Sequence, residues 1–221
     1  MMRFLIILLF VCSFGGLLDA QELNTTEVWT SYSVKYAVNK KWKVYGEAQY
    51  RFNNHSDLPQ PFFLEFGGRK KINKVSSIKL QYRYTWVNGE RNTQRLALDG
   101  RFKWKVLDKK TVLQYRTRAQ VERVAFNGQI TSDWRNKIGI VREFSKKFDL
   151  YLDYESFIRL LKLKSFLHVD SPKFNKNRFT LGGKYTFKKN EFKAFYRLDQ
   201  SVDYSQQISH VFGFGMVRKL K

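Results

Sequence analysis

The sequence predicts an all-β fold: an antiparallel up-and-down transmembrane β-barrel of about 10 to 12 strands, with 12 favoured. Three observations predict it. Apolar and polar side chains alternate in segment after segment, tryptophans stand near the segment ends, and short turns alternate with long loops. In Ile78–Trp86 the apolar and aromatic residues share one parity, and the charged and polar residues share the other. Successive side chains of a strand point to opposite faces, so this segment is a strand with one apolar and one charged face.

Eleven segments of the chain show this alternation, and bacterial single-chain barrels have an even number of strands. A missed strand is therefore expected, which is why 12 is favoured. The eleven predicted strands are Thr26–Val38, Lys41–Phe52, Phe62–Lys70, Val75–Val87, Thr93–Val106, Thr111–Glu122, Asp133–Glu143, Phe148–Arg159, Arg178–Phe187, Phe192–Gln200 and Ile208–Lys219.

The charged face of these strands predicts a polar lumen. A soluble core could not hold so many charges, because each unpaired buried charge costs several kcal/mol. Basic residues outnumber acidic ones, 41 to 19 over the whole chain, so we expect a lumen that is positive overall and partly cross-linked by ion pairs. The strongest basic candidates for the lumen are Arg83, Arg101, Arg116, Arg118 and Arg197.

The five tryptophans stand near strand ends. Trp42 and Trp104 fall beside short turns, whereas Trp29, Trp86 and Trp134 fall toward the long loops. Tryptophan is enriched where a membrane meets water, because its apolar ring sits in lipid while its N–H meets water. We therefore predict that all five form an interface girdle, and that the apolar parity of the strands points outward to lipid.

The short connections carry adjacent lysines, whereas the other connections are longer and more varied. Short turns at one rim and long loops at the other are typical of an outer-membrane barrel, in which the short turns are periplasmic. The lysines are solvated turn residues or contact anionic lipid or peptidoglycan. The pairs are Lys40 with Lys41, Lys70 with Lys71, Lys109 with Lys110, Lys146 with Lys147, and Lys188 with Lys189.

Residues 1–20 have the pattern of a cleaved secretory signal peptide, with Arg3 before the apolar run "FLIILLFVCSF" and a cut before Gln21. We expect residues 21–221 to form a single outer-membrane barrel domain. The only cysteine, Cys12, lies in this signal, which excludes disulfides and cysteine-ligated metal from the mature chain. The net charge of +22 would suit a nucleic-acid partner, but export argues against one.

No motif predicts catalysis, a metal site or a cofactor. His55 and His168 lie in expected outer loops, each two residues before an aspartate, which is an arrangement that an enzyme could use, although solvated loop histidines are far more common. Asp149, Asp153 and Glu155 share one strand face and could serve acid–base or calcium chemistry. Pairing with lumen arginines is the favoured interpretation of these carboxylates, so we expect a protein that is not an enzyme.

Three stretches, "KWKVYGEAQYRF", "RFTLGGKYTF" and "FKAFYRLDQ", together with Trp29, resemble domain-of-unknown-function family 2490 over nearly the whole mature chain. The resemblance implies an outer-membrane-type barrel of Gram-negative bacteria. It implies no catalytic residue, because the family has no established activity.

Three functions stay open on the sequence alone. The first is a small non-enzymatic outer-membrane barrel, acting as a narrow anion-preferring, porin-like pore or as a structural or binding element. The second is an outer-membrane enzyme acting on lipid or peptide at its loop rim, and the third is a soluble periplasmic β-protein that binds an anionic ligand. The expected partners are outer-membrane lipid, lipopolysaccharide and the barrel-assembly machinery.

Overall fold

The computed structural model describes residues 25–53, 60–87, 92–106, 110–164, 168–169, 172–202 and 207–220. The predicted signal peptide, His55 and the side chain of His168 lie outside this description. None of the described residues belongs to a helix long and apolar enough to cross a membrane.

The described chain consists of strands and their connections. Each of the eleven predicted segments coincides with a long strand, and the all-β prediction is confirmed. The strands are β1 (Thr25–Ala37), β2 (Trp42–Asn53), β3 (Phe62–Lys71), β4 (Ser76–Trp86), β5 (Thr93–Val106), β6 (Thr111–Val124), β7 (Ile130–Glu143), β8 (Phe148–Lys164), β9 (His168–Val169), β10 (Lys173–Phe187), β11 (Asn190–Ser201) and β12 (Ile208–Leu220).

The long strands close into a barrel of eleven, so the favoured count of 12 is wrong. Neighbouring strands pair antiparallel, and β8 pairs directly with β10, which leaves the two-residue β9 outside the ring. An odd number of up-and-down strands makes the first and last strands run in the same direction. The barrel accordingly closes by a parallel pairing of β1 with β12, in which Thr30 faces Phe214.

Two β-bulges interrupt the alternation near the loop rim. One lies in β8, where Leu160 is inserted opposite Ser132 and Asp133 of β7, and the other lies in β10 between Phe174 and Lys176. A bulge inserts one residue and reverses the parity beyond it. This is why the sequence pattern ended there and predicted β8 and β10 as shorter than they are.

The apolar side chains of the strands point away from the barrel axis. On β4, Leu80 is 53% exposed, whereas its neighbour Gln81 is 2% exposed. The same division holds around the barrel: most large exposed side chains are apolar, and most buried ones are polar or charged. The molecule is therefore apolar outside and charged inside, the reverse of a soluble sheet protein, and the charged lumen is its core.

Two lumen glycines make room for aromatic side chains from neighbouring strands. A Cβ added at Gly213 would lie 2.0 Å from the Phe195 ring, and one added at Gly182 would lie 2.5 Å from the Tyr151 ring. These contacts require glycine, because no other residue leaves that space free. Both rings help to fill the lumen.

Candidate functional site: the charged lumen

The first group of lumen charges is centred on Asp99 of β5. Its cross-strand partner on β6 is Arg118, whose Nε lies 2.6 Å from Asp99 Oδ1. Arg101, two residues further along the same face of β5, places Nη2 2.8 Å from Asp99 Oδ2. Asp99 has no exposed surface, so its charge is balanced entirely by protein groups.

The second group is centred on Glu65 of β3. The register places Arg83 opposite it, with Nη2 2.7 Å from Glu65 Oε2. Lys79 Nζ lies 3.5 Å and Arg95 Nη2 3.7 Å from the same carboxylate, and the Tyr45 hydroxyl donates a hydrogen bond to Oε1 at 2.7 Å. One carboxylate thus faces three cations, which leaves this part of the lumen positive.

The third group joins β6, β7, β8 and β10 through Glu155. Arg135 Nη2 lies 2.8 Å from Glu155 Oε1, and Arg116 forms an ion pair with the same oxygen. Arg178 Nη1 lies 3.7 Å from Oε2 and also binds both carboxylate oxygens of Asp199, at 2.7 and 2.6 Å. Bidentate arginine–carboxylate contacts of this kind fix the orientation of both groups.

The remaining carboxylates of β8 are paired as well. Asp153 Oδ2 lies 2.5 Å from Lys137 Nζ, and Asp149 forms an ion pair with Lys184. No group of three or more His, Cys, Asp or Glu residues within the described ranges could hold a metal ion. Glu155 thus pairs with arginines, as the sequence predicts, whereas Asp149 and Asp153 pair with lysines.

Stacked aromatic and guanidinium groups occupy the lumen near β1. Arg51 Cζ lies 3.8 Å and Arg197 Cζ 4.6 Å from the centre of the Trp29 ring. Arg197 also lies 4.7 Å from the Phe195 ring, and Trp29 Nε1 donates a hydrogen bond to Glu27 at 2.6 Å. Cation–π contact with an aromatic face stabilises a guanidinium group without neutralising its charge.

Trp29 is therefore a correction to the predicted girdle. It is 8% exposed and lies in the lumen, whereas Trp42, Trp86, Trp104 and Trp134 are 39–44% exposed on the outer surface. Trp29 shares its parity with the inward Ser31 and Ser33, and this parity, rather than its position near a strand end, decides its direction. Reading the parity of β1 would have found this lumen residue from the sequence.

All five predicted arginines lie in the lumen, but their surroundings differ. Arg83, Arg101, Arg116 and Arg118 each contact a carboxylate, whereas Arg197 stacks on two rings and donates a hydrogen bond to Thr180.

Among the residues that the structure describes, four buried nitrogens of the lumen have no hydrogen-bond partner: Arg51 Nε, Gln81 Nε2, Arg95 Nε and Arg116 Nε. All four are donors, and a buried donor without an acceptor costs free energy. The lumen thus has unused capacity to bind a small anion. Side chains also fill the lumen around Asp99, Phe63 and Gln81, because these three residues have almost no exposed surface.

The family described as "Protein of unknown function (DUF2490)" matches residues 26–208 of this sequence. The match covers every strand of the barrel from β1 through β11 and reaches the first residue of β12. The chain belongs to the DUF2490 family. No functionally curated protein matches it in sequence.

Solved structures with a similar fold include LpxR from Salmonella typhimurium, with a TM-score of 0.54 and 4% identity over 80% of this chain and 83% of that chain. A bacterial polysaccharide outer membrane secretin gives a TM-score of 0.50 and 9% identity. That match covers 80% of this chain, which spans 64% of the length of the secretin. The KdgM porin gives a TM-score of 0.46 and 15% identity, over 76% of this chain and 81% of that chain. At these identities the likeness shows the fold alone, which resembles that of bacterial outer-membrane barrels.

Proposed function

We propose that this protein is a non-enzymatic barrel of the Gram-negative outer membrane whose narrow lumen passes small anions in preference to cations. The observation that carries the proposal is the set of lumen arginines, Arg51 and Arg95 among them, with a buried nitrogen that has no acceptor in the part of the chain that the structure describes. Charged groups that line a pore favour ions of the opposite sign. The exposed apolar outer surface supports the membrane location.

The stacked arginines suit this function better than the paired ones. Arg51 and Arg197 are held against Trp29 by cation–π contact, so their charges are fixed in place while remaining available to an anion. A low-dielectric wall concentrates the field of such charges. Because side chains fill the middle of the lumen, we expect a small conductance and passage of small inorganic anions only.

The second candidate function is a sealed structural barrel. It is favoured by the group centred on Asp99, in which Arg101 and Arg118 contact a carboxylate that has no exposed surface. If the ion pairs never open, the lumen conducts nothing and the barrel contributes only its outer and rim surfaces.

A planar bilayer under a potassium chloride gradient tests the proposal. The unmodified protein should give a steady conductance with a reversal potential of anionic sign. Arg51→Gln should weaken the anion preference, because it removes a charge that forms no ion pair with a carboxylate of the described residues. Lys74→Gln, at an exposed turn residue, is the control and should leave the preference unchanged.

The outcomes separate the two candidates. A cation preference, or an equal effect of Arg51→Gln and Lys74→Gln, would contradict anion selectivity in the lumen. Heat-modifiable gel mobility shows whether the barrel is folded. If the folded protein gives no conductance, the proposal that the lumen passes anions is wrong, and the sealed structural barrel is the function that stays.

A further inference from the structure

The outer wall of the barrel carries an apolar groove near the short-turn rim. It has a volume of about 530 Å³ and runs across β8, β10, β11, β12 and β1. Gly183 and Ala194 form its floor, and the exposed rings of Phe148, Phe192 and Phe214 stand around them.

The register explains why the wall is concave at this place. Gly183 of β10 pairs with Ala194 of β11, and Ala194 pairs with Phe214 of β12. On the other side, Gly183 pairs with Leu150 of β8. Gly183 and Ala194 are therefore adjacent outward positions with almost no side chain, and the large side chains of Leu150 and Phe214 flank them. The result is a groove about two side chains wide.

The groove lies below a cationic rim. Gly183 is four residues from Phe187 at the end of β10, which is about 13 Å along a strand and lies within one leaflet of a hydrocarbon core of about 30 Å. The turn that carries Lys147 lies beside the same strand end, because the Lys147 carbonyl accepts a hydrogen bond from Thr186 N at 2.7 Å. Lys188 follows Phe187 directly and places Nζ 5.5 Å from its ring.

We propose that this groove binds an acyl chain of one anionic glycerophospholipid, whose phosphate contacts Lys147 and Lys188. The groove accepts the apolar chain, and the exposed lysines attract the negative headgroup at the depth where it would lie. Basic residues at a membrane surface favour anionic lipid by about 1 kcal/mol each. The proposal is independent of whether the lumen conducts, since the groove and the lumen lie on opposite faces of the wall.

The acyl-chain contact is tested by filling the groove. Gly183→Leu places a large side chain on its floor, where an added Cβ makes ordinary contact with Phe148 at 3.4 Å, so the barrel should tolerate it. Gly68→Leu is the matched control: Gly68 also lies near the short-turn rim, on β3, and an added Cβ there meets no atom within 4 Å. The measurement is native mass spectrometry of the detergent-solubilised full chain titrated with phosphatidylglycerol.

The unmodified protein and Gly68→Leu should retain one phosphatidylglycerol, and Gly183→Leu should weaken this binding by about tenfold or more. Equal retention by all three proteins, or an equal loss in both variants, would overturn the groove as the binding site. If Gly183→Leu does not fold, Ala194→Leu fills the same floor from the next strand and is read against the same control.

The headgroup contact is tested separately. Replacing Lys147 and Lys188 together by glutamine should weaken binding of phosphatidylglycerol. The same change at two other exposed lysines, Lys71 at the end of β3 and Lys74 in the following turn, should not. Phosphatidylcholine should bind more weakly than phosphatidylglycerol to the unmodified protein. Equal binding of the two lipids, or an equal effect of the two lysine pairs, would contradict recognition of an anionic headgroup at this rim.

Discussion

Arg118 holds Asp99 by a hydrogen bond of 2.6 Å from Nε to Oδ1, and a second contact joins Nη2 to Oδ2 at 3.1 Å. The carboxylate has no exposed surface, and Arg101 contacts it from the same strand. Asp99 therefore connects β5 to β6 in the interior of the barrel by charge, in the place where a soluble protein would have apolar packing.

Asp99→Asn should lower the free energy of unfolding by about 3–5 kcal/mol, because removing one partner of a buried ion pair leaves the other charges uncompensated. The substitution keeps the size of the side chain, so the loss reports charge rather than volume. Unfolding in urea from phospholipid vesicles, followed by intrinsic fluorescence, measures it.

Asp149→Asn is the control for this prediction. Asp149 pairs with Lys184 near the short-turn rim, where both side chains are more exposed to water than those around Asp99. Solvent screens such a pair, so its loss should cost about 1 kcal/mol or less. Equal costs at the two positions would contradict the account of Asp99 as a buried charge centre.

The position of Trp29 can be tested by lipid quenching. In variants that retain a single tryptophan, with the others replaced by phenylalanine, acyl chains carrying bromine should quench Trp104 but not Trp29. Trp104 is on the outer surface and stacks with Phe102 at 5.9 Å, whereas Trp29 lies in the lumen against Arg51. Equal quenching of the two residues would place Trp29 outside.

The odd closure of the barrel can be tested by disulfide formation. Thr30 and Phe214 are partners in the parallel pairing of β1 with β12, so cysteines at these two positions should cross-link on mild oxidation. Cysteines at Thr30 and Leu220 are the control, because Leu220 pairs with Tyr36, about 20 Å further along the strand. Cross-linking of the control pair, or of neither pair, would contradict this closure.

The period-two pattern was sufficient to predict the strands. Thr93–Val106 was predicted with the bounds that the structure shows, and the largest errors fall at the bulges in β8 and β10. A bulge changes parity within a strand, so a pattern based on strict alternation ends there. The favoured number of strands was wrong for a different reason. The general rule that bacterial barrels have an even number of strands was given more weight than the eleven segments that the pattern shows.

The composition of the lumen could also be predicted from parity, but its pairings could not. Parity places Asp99 and Arg118 inside, whereas their contact depends on the register between β5 and β6, which a shift of two residues would change without turning any side chain to the other face. The direction of Trp29 was mistaken because its position near a strand end was given more weight than its parity. The groove at Gly183 and Ala194 depends on the register of β8, β10, β11 and β12 together, which no single segment reveals.

The most direct test of the account is whether the outward apolar surface faces lipid, and Leu80 on β4 is the residue to change. Leu80→Arg should lower the free energy of unfolding from phospholipid vesicles by about 2–4 kcal/mol if the position lies near the middle of the bilayer. Leu80→Phe, an apolar change at the same exposed position, should have a much smaller effect. A cost for Leu80→Arg of about 0.5 kcal/mol or less, as on the surface of a soluble protein, would contradict the account.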